Sequence, residues 1–171
     1  MEGIDIVSAL MEIAARTAPK AAGKDFVVIK TLKGDVLKDL ADKMVQFGLR
    51  TGKSNFDRDG KNVANSQAVV LIGIKDAAPL GLNCGACGFL KCPKINTVEG
   101  EFKGPQCAHR LEDMGIALGS AVKTAGMMNV DNRIMYRVGA AAREMGLIDA
   151  DYVMGIPLSA TGKSIYFDRR P

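Results

Sequence analysis

The longest apolar run of the chain is Ala68-Val69-Val70-Leu71-Ile72-Gly73-Ile74. A short continuous apolar run that is rich in β-branched residues is typical of a strand buried on both faces of a sheet. A second run, Phe26-Val27-Val28-Ile29, has the same character, and Asp151 to Leu158 indicates a third strand. The sequence therefore predicts a sheet in which residues 68–74 form the most buried strand.

Amphipathic stretches before and between these strands predict four helices. The first follows Asp5, an expected N-cap, and the second ends at Gly48, an expected C-cap. A long helix is expected from Cys107, and another from Asp131 to Gly146. The residues expected on the buried face of the first helix are Ile6, Val7, Leu10, Met11, Ile13 and Ala14.

Two stretches fit this pattern less well. Gly115 and Gly119 lie inside the long helix, where each costs about 1 kcal/mol relative to alanine. Close packing against another backbone is expected to offset that cost. Residues 56–67 are polar and predict no element.

The alternation of helices and strands predicts a layered α/β domain. With 171 residues and a mass of 18.2 kDa, residues 1–171 are expected to form a single domain. Residues 76–107 interrupt the pattern with three prolines, several glycines and all four cysteines of the chain. They predict an inserted, irregular, cysteine-rich lobe.

The composition excludes several classes of function. Apolar residues make up 47% and charged residues 25%, as in a globular protein in water. A net charge of +4 and an aromatic content of 5% do not indicate nucleic-acid binding. The run 68–74 is far shorter than the roughly 20 residues of a membrane span, and Glu2 and Asp5 stand where a secretory signal carries basic residues. We expect a cytoplasmic protein, in which cysteines serve more often as ligands or catalysts than as disulfides.

The strongest signal in the sequence is the spacing Cys84-x2-Cys87-x4-Cys92-x14-Cys107. A [4Fe–4S] cluster is typically held by four thiolates, and here three come from one loop and one from farther along the chain. Glycines between the cysteines let backbone N–H groups turn toward cluster sulfurs. The spacing favours a cluster, with Cys84, Cys87, Cys92 and Cys107 as ligands.

Two other interpretations of the cysteines stay open. Structural zinc also takes four cysteines, although it normally uses two short knuckles. A redox-active pair, Cys84 and Cys87, would need a helix beginning at the motif, and Gly88 and Pro93 disfavour one. His109 is expected to be a polar residue in a first helical turn, because Cys107 already completes a set of four thiolates.

The segment Cys84-Gly85-Ala86-Cys87-Gly88-x3-Cys92, followed by the distant Cys107, resembles the cluster module of the Rnf complex B subunit. It is also similar to the corresponding segment of the large subunit of the corrinoid iron–sulfur protein. Those modules bind a [4Fe–4S] cluster through all four cysteines. The 14-residue final spacing is slightly shorter here, so the connecting turn is expected to differ.

The whole chain resembles a family of uncharacterised ferredoxin-domain-containing proteins of bacteria and archaea, a domain of unknown function. The resemblance runs from Ala14-Ala15-Arg16-Thr17-Ala18-Pro19-Lys20 through the cysteines to Gly155-Ile156-Pro157-Leu158-Ser159-Ala160-Thr161-Gly162-Lys163. The family implies a cluster-binding role and no defined reaction.

A weaker similarity is to the FMN-dependent nitroreductases, carried by Ala15-Arg16-Thr17 and by Asp151-Tyr152-Val153-Met154-Gly155-Ile156-Pro157. It implies an α+β fold with a mixed, antiparallel-rich sheet between helices, commonly a homodimer with FMN at the interface. Arg16 and Lys163 would then bind the FMN phosphate. From the residues alone, solvated charges at the ends of elements are a slightly better explanation of both.

The sequence thus predicts an iron–sulfur redox protein that transfers electrons to or from a redox partner protein or a small-molecule electron acceptor. The alternatives are an FMN-dependent oxidoreductase and a non-enzymatic module held by zinc or a cluster. No catalytic triad or paired acid is evident, so any enzymatic chemistry would depend on a cofactor.

Overall fold

The computed structural model describes residues 2–94 and 97–167. Met1 and residues 168–171 of the expected single domain, and residues 95–96 of the expected lobe, lie outside the described residues. The helices are α1 Glu2–Thr17, α2 Val36–Thr51, α3 Phe56–Ala64, α4 Ala108–Met127 and α5 Tyr136–Glu144. The strands are β1 Val27–Leu32, β2 Ala68–Ile74, β3 Val98–Glu99, β4 Lys103–Gly104, β5 Asp131–Asn132 and β6 Tyr152–Ser159.

Four strands form one antiparallel sheet in the order β1-β2-β6-β5. Every residue of β2 is buried, which confirms the prediction for the longest apolar run. Ile74 pairs with Val27 on one side and Tyr152 on the other, whereas Ala68 pairs with Leu158. At about 3.4 Å per residue, these two ends of the sheet lie about 20 Å apart.

Helices cover both faces of the sheet. The even-numbered residues of β2 pack with α1 and α4, and Val69 and Leu71 pack with α2, α3 and α5. Helix α5 lies against β6 so closely that a Cβ atom at Gly139 would stand 1.9 Å from the carbonyl oxygen of Val153. The predicted α+β architecture, with an antiparallel-rich sheet flanked by helices, is therefore confirmed.

Helix α1 differs from its prediction in its start and in its buried face. It begins at Glu2, so Asp5 lies inside it and is not an N-cap. The buried residues are Ile4, Val7, Ser8, Met11 and Ala15. Ile6, Leu10 and Ile13 are 54%, 38% and 59% exposed, because contact with α4 and the sheet fixes which side of this largely apolar helix is buried.

Gly48 does not end α2, which continues to Thr51 and is followed by Gly52 in the left-handed conformation. Gly48 is instead a contact point, because a Cβ atom there would lie 2.6 Å from the Cβ atom of Phe56. Residues 56–64, which predicted no element, form α3, whose few buried residues include Phe56 and Val63.

The helix expected from Asp131 begins only at Tyr136, because Asp131 and Asn132 pair with β6 as β5. The expectation that Gly115 and Gly119 pack against another backbone is also wrong, since a Cβ atom at either would have no neighbour within 4 Å. Among the described helices, none has the length and apolarity needed to span a bilayer.

Candidate metal centre

The four cysteines line a single, largely enclosed pocket. Cys84, Cys87 and Cys92 belong to the loop that follows β2, and Cys107 directly precedes α4. All four are free thiols, of which Cys84 is exposed and the others are half-buried. The rest of the lining consists of Pro79, Gly85, Phe89, Pro93 and Ala108. The structure thus brings together, in a mainly apolar setting, the four thiols that the sequence predicted as ligands.

The loop that carries three of the cysteines depends on backbone conformations that favour glycine. Gly85 has a φ of 75° and Gly88 a φ of 88°, both in the left-handed region. The N–H of Gly88 donates to the carbonyl of Gly85 across 2.9 Å, which closes a tight turn around Cys87. This turn directs Cys84 and Cys87 into the same pocket.

Asn83 joins the two ends of the three-cysteine loop. Its side-chain Oδ1 accepts the backbone N–H of Cys92 across 2.9 Å. Its own φ of 51° is in the left-handed region, which asparagine tolerates better than most residues do. Asn83 therefore fixes Cys92 next to Cys84, although no spacing rule in the sequence singled it out.

Cys107 lies at the amino-terminal end of α4. Its carbonyl accepts N–H groups from Arg110 and Leu111, across 3.0 and 3.1 Å. The unpaired N–H groups and the positive end of the helix dipole therefore lie beside the pocket, where they favour negative charge.

Arg110, only 1% exposed, anchors the lobe to the rest of the molecule. Its guanidinium donates to the carbonyl oxygens of Ala78 and Ala21, and to a carboxylate oxygen of Asp113, each across 2.9 Å. Asp113 in turn accepts the N–H of Ala21 across 2.7 Å. The ring of Phe26 packs against the guanidinium at 4.8 Å.

This network fixes the first turn of α4, and with it Cys107, against the start of the lobe. Sequence reasoning missed it, and the available signal was a charged pair spaced i, i+3 on a helix face that is otherwise apolar.

His109 lies in the first turn of α4, as expected. Its Nδ1 is 3.2 Å from a carboxylate oxygen of Glu112, and its Nε2 is 3.9 Å from Sγ of Cys84. Within residues 2–94 and 97–167, no three side chains of His, Cys, Asp or Glu lie close enough together to bind one metal ion. For zinc, such a group places sulfur atoms about 2.3 Å from a common point.

The hairpin β3–β4 forms the other part of the lobe and is held by Arg143. Its guanidinium donates to the carbonyls of Gly100 and Glu101, and pairs with the carboxylate of Glu99 at 2.6 Å. It also donates to the carbonyl of Ala150, just before β6. The lobe is therefore attached to the domain at both of its ends.

Arg16 and Lys163, the residues expected to bind an FMN phosphate, lie at opposite ends of the sheet. Arg16 donates to the carbonyl of Val27 across 2.7 Å and pairs with Asp25 at 2.6 Å, at the Ile74 end. Burial acts to raise the pKa of Asp25, but hydrogen bonds from Arg16 and from the N–H of Val27 lower it overall.

Lys163 is exposed in the turn after β6. That turn is held at the Ala68 end, since the N–H of Ala160 donates to the side chain of Gln67 and the hydroxyls of Tyr166 and Ser66 are 2.8 Å apart. Within one chain, Arg16 and Lys163 therefore do not form one phosphate site.

Solved structures with a similar fold include two described as nitroreductases. The nitroreductase NfnB from Mycobacterium smegmatis, in complex with NADPH, has a TM-score of 0.59 at 12% identity, over 98% of this chain and 83% of its own. A putative nitroreductase in complex with FMN, from Desulfovibrio desulfuricans, has a TM-score of 0.60 at 11% identity, over 98% of this chain and 80% of its own. At these identities, the similarity establishes the fold alone.

A much more similar relative is an uncharacterized protein of Archaeoglobus fulgidus, 49% identical over 99% of this chain and 94% of its own length. Residues 103–169 match the family described as uncharacterized protein containing a ferredoxin domain (DUF2148). The matched part includes Cys107 and all of β6. On both findings, the chain belongs to this family of ferredoxin-domain proteins.

Proposed function

We propose that this protein is an iron–sulfur redox protein that binds one [4Fe–4S] cluster through Cys84, Cys87, Cys92 and Cys107 and transfers electrons. The observation that carries the proposal is that these four thiols line one pocket. The ferredoxin domain named in the family description supports it. When bound, such a cluster accepts and releases one electron at a time.

The residues around the pocket fit a compact anionic group. The left-handed conformations of Gly85 and Gly88 bend the loop so that its cysteines line one pocket. The amino-terminal end of α4 at Cys107 favours negative charge. Phe89 and Pro93 contribute apolar lining that limits the access of water. A reducing compartment such as the cytoplasm would keep the thiols available.

The test is to purify the protein anaerobically and measure its absorption spectrum with its iron, acid-labile sulfide and zinc contents. We expect about four irons and four sulfides per chain, and loss of both in Cys92→Ser and Cys107→Ser. Leu49→Ser, on the exposed face of α2, is the control and should retain both. About one zinc per chain without sulfide would contradict the proposal and indicate a structural zinc module.

A second candidate, an FMN-dependent oxidoreductase, is favoured by the fold shared with FMN-bound nitroreductases. Because Arg16 and Lys163 lie at opposite ends of the sheet, a phosphate site containing both would have to form between two copies of the chain. The test is flavin released from the anaerobically purified protein by denaturation. About one FMN per chain in the wild type, and a lower FMN content in Lys163→Met, would support this candidate. Absence of flavin even after incubation with FMN would exclude it.

A further inference from the structure

The part of the lobe next to the cysteines carries exposed apolar side chains. Leu82, Phe89 and Leu90 are 62%, 47% and 90% exposed. The hydrogen bond from Cys92 to Asn83 brings the two ends of this loop together, with Leu82 directly before Asn83 and Leu90 two residues before Cys92. Phe89 also lines the cysteine pocket. We call these three residues, with Lys91 and Lys94, the lobe tip.

The lobe tip carries positive charge only. Lys91 and Lys94 are exposed, and residues 77–94 contain no aspartate or glutamate. The acid nearest to the cysteines on α4, Glu112, is bound to His109. The surface beside the pocket is therefore apolar with basic residues at its edge.

An exposed leucine is common on protein surfaces, but several large apolar side chains around one pocket indicate a contact surface. The position of this patch matters as much as its composition. Its apolar residues lie in the same short loop as Cys84, which is the one exposed cysteine of the four.

We propose that the lobe tip is the docking surface for a small acidic electron-carrier protein, which exchanges electrons with the group held by the cysteines. This inference rests on the proposed iron–sulfur function. In the step, the reduced carrier loses one electron and the metal group held by the four thiolates gains it. No covalent bond forms or breaks, and no proton needs to move.

Charge complementarity favours an acidic carrier over a second copy of this chain. In a symmetric pair joined at the lobe tip, Lys91 and Lys94 of both copies would face each other and repel. With an acidic carrier, the same lysines attract the partner and speed its approach, and the leucines supply the short-range contact. Electron-transfer complexes typically bury small interfaces and are transient, and a patch of a few side chains is sufficient for such an interface.

The experiment uses the cluster-loaded protein and an acidic flavodoxin in its hydroquinone form as the probe. Stopped-flow mixing follows the appearance of the flavodoxin semiquinone, which forms when the hydroquinone loses one electron. The variants are Lys91→Glu/Lys94→Glu and Leu82→Ser/Leu90→Ser. Their matched controls are Lys38→Glu and Leu49→Ser, whose side chains are exposed on α2. Reduction by dithionite, which needs no docking, is measured in parallel.

We expect the lysine variant to lower the second-order rate constant about tenfold at low salt, and the difference to disappear at high salt. The leucine variant should lower it about fivefold at both salt concentrations. Both controls should match the wild type, and dithionite, which is itself an anion, should reduce every protein at the same rate at high salt, where charge effects are screened. A wild-type protein that dithionite reduces but flavodoxin does not, or variants with unchanged rate constants, would overturn the docking proposal.

Iron and sulfide contents separate failure of this inference from failure of the proposed function. If the purified protein contains no cluster, the proposed function fails before any kinetics are measured. If Leu82→Ser/Leu90→Ser converts a wild-type dimer into a monomer, the lobe tip binds a second copy, and the carrier proposal is wrong.

Discussion

Asn83 shows how one side chain can organise the loop that carries three of the four cysteines. It accepts the backbone N–H of Cys92 and occupies a left-handed conformation between Leu82 and Cys84. Both properties suit asparagine, since its amide provides the acceptor and its short polar side chain tolerates a positive φ. The cysteine spacing could be read from the sequence, whereas this supporting contact could not.

Asn83→Leu should weaken the hold on the cluster, because it removes the acceptor for the Cys92 N–H and places a bulky residue at a φ of 51°. Asn83→Asp keeps an acceptor oxygen at the same place and is the matched control. We expect the leucine variant to lose iron to a chelator several times faster than the wild type. Equal rates of iron loss in the leucine variant and the wild type would show that Asn83 does not stabilise the loop.

At the scale of single elements, two glycines inside helices differ in whether they allow close packing. Gly139 in α5 lets the helix lie on β6, where a Cβ atom would stand 1.9 Å from the Val153 oxygen. Gly115 in α4 has no atom within 4 Å of the same position. The sequence presents both as glycines inside apolar helices, so only the neighbouring strand distinguishes them.

The substitution Gly139→Ala should therefore destabilise the fold by about 3 kcal/mol, because the added methyl group must push α5 off the sheet. The same methyl group at Gly115 meets open space, and Gly115→Ala should stabilise the fold by up to about 1 kcal/mol through helix propensity. The midpoint of guanidinium unfolding, followed by circular dichroism, measures both changes. Equal effects of the two substitutions would mean that α5 does not approach β6 this closely.

The sequence correctly predicted those elements whose pattern of residues is compatible with only one structure. A fully apolar run such as residues 68–74 can only be buried, and the four cysteine positions needed no knowledge of the fold. Helix α3 was missed because its own residues are mostly polar and it is held by packing on α2, where the ring of Phe47 stacks on Phe56 at 4.9 Å between centroids. Arg110 was missed because its support is distant, since one of its partners, Ala21, is 89 positions away in sequence.

At the scale of the whole molecule, Glu144 ties α5 to α2. Its carboxylate pairs with Lys43 at 2.7 Å and with Arg50 at 2.5 Å. Hydrogen bonds from Arg50 and Lys43 lower the pKa of Glu144 from 4.5 to about 2. Because the pKa is lower in the folded state, this stabilisation is fully present above pH 4.5 and is lost as the pH falls toward 2.

Glu144→Gln should therefore lower the free energy of unfolding at pH 7 by about 1 kcal/mol, since the pairs are partly exposed. The difference from the wild type should shrink as the pH falls below 4.5, where the wild-type carboxylate also loses its charge. Unfolding curves at several pH values measure this difference. Asp35→Asn, at a fully exposed side chain on the other end of α2, is the control. A difference that stays constant with pH would contradict the assigned role of the ion pairs.

The outer face of α1 bears on how copies of the molecule associate. Ile6, Leu10 and Ile13 recur at helical spacing and are all exposed, and the residues between them on that face, including Ala9, carry no charge. Helix α4, which packs beside α1, also carries an exposed apolar residue, Ile116 at 40%. An uncharged apolar stripe of this length suits a second copy of the same stripe, because no like charges would be brought together.

We therefore expect a homodimer that forms through α1. Ile6→Lys/Ile13→Lys places charge in the contact and should convert the dimer into a monomer in sedimentation velocity, with the circular dichroism spectrum unchanged. Leu49→Lys, an equally exposed apolar position on α2, should leave the dimer intact. A wild-type protein that sediments as a monomer, or a dimer that survives the double substitution, would contradict this assignment. The substituted positions are outside the lobe tip, so the dimer and the docking of an electron carrier can be tested independently.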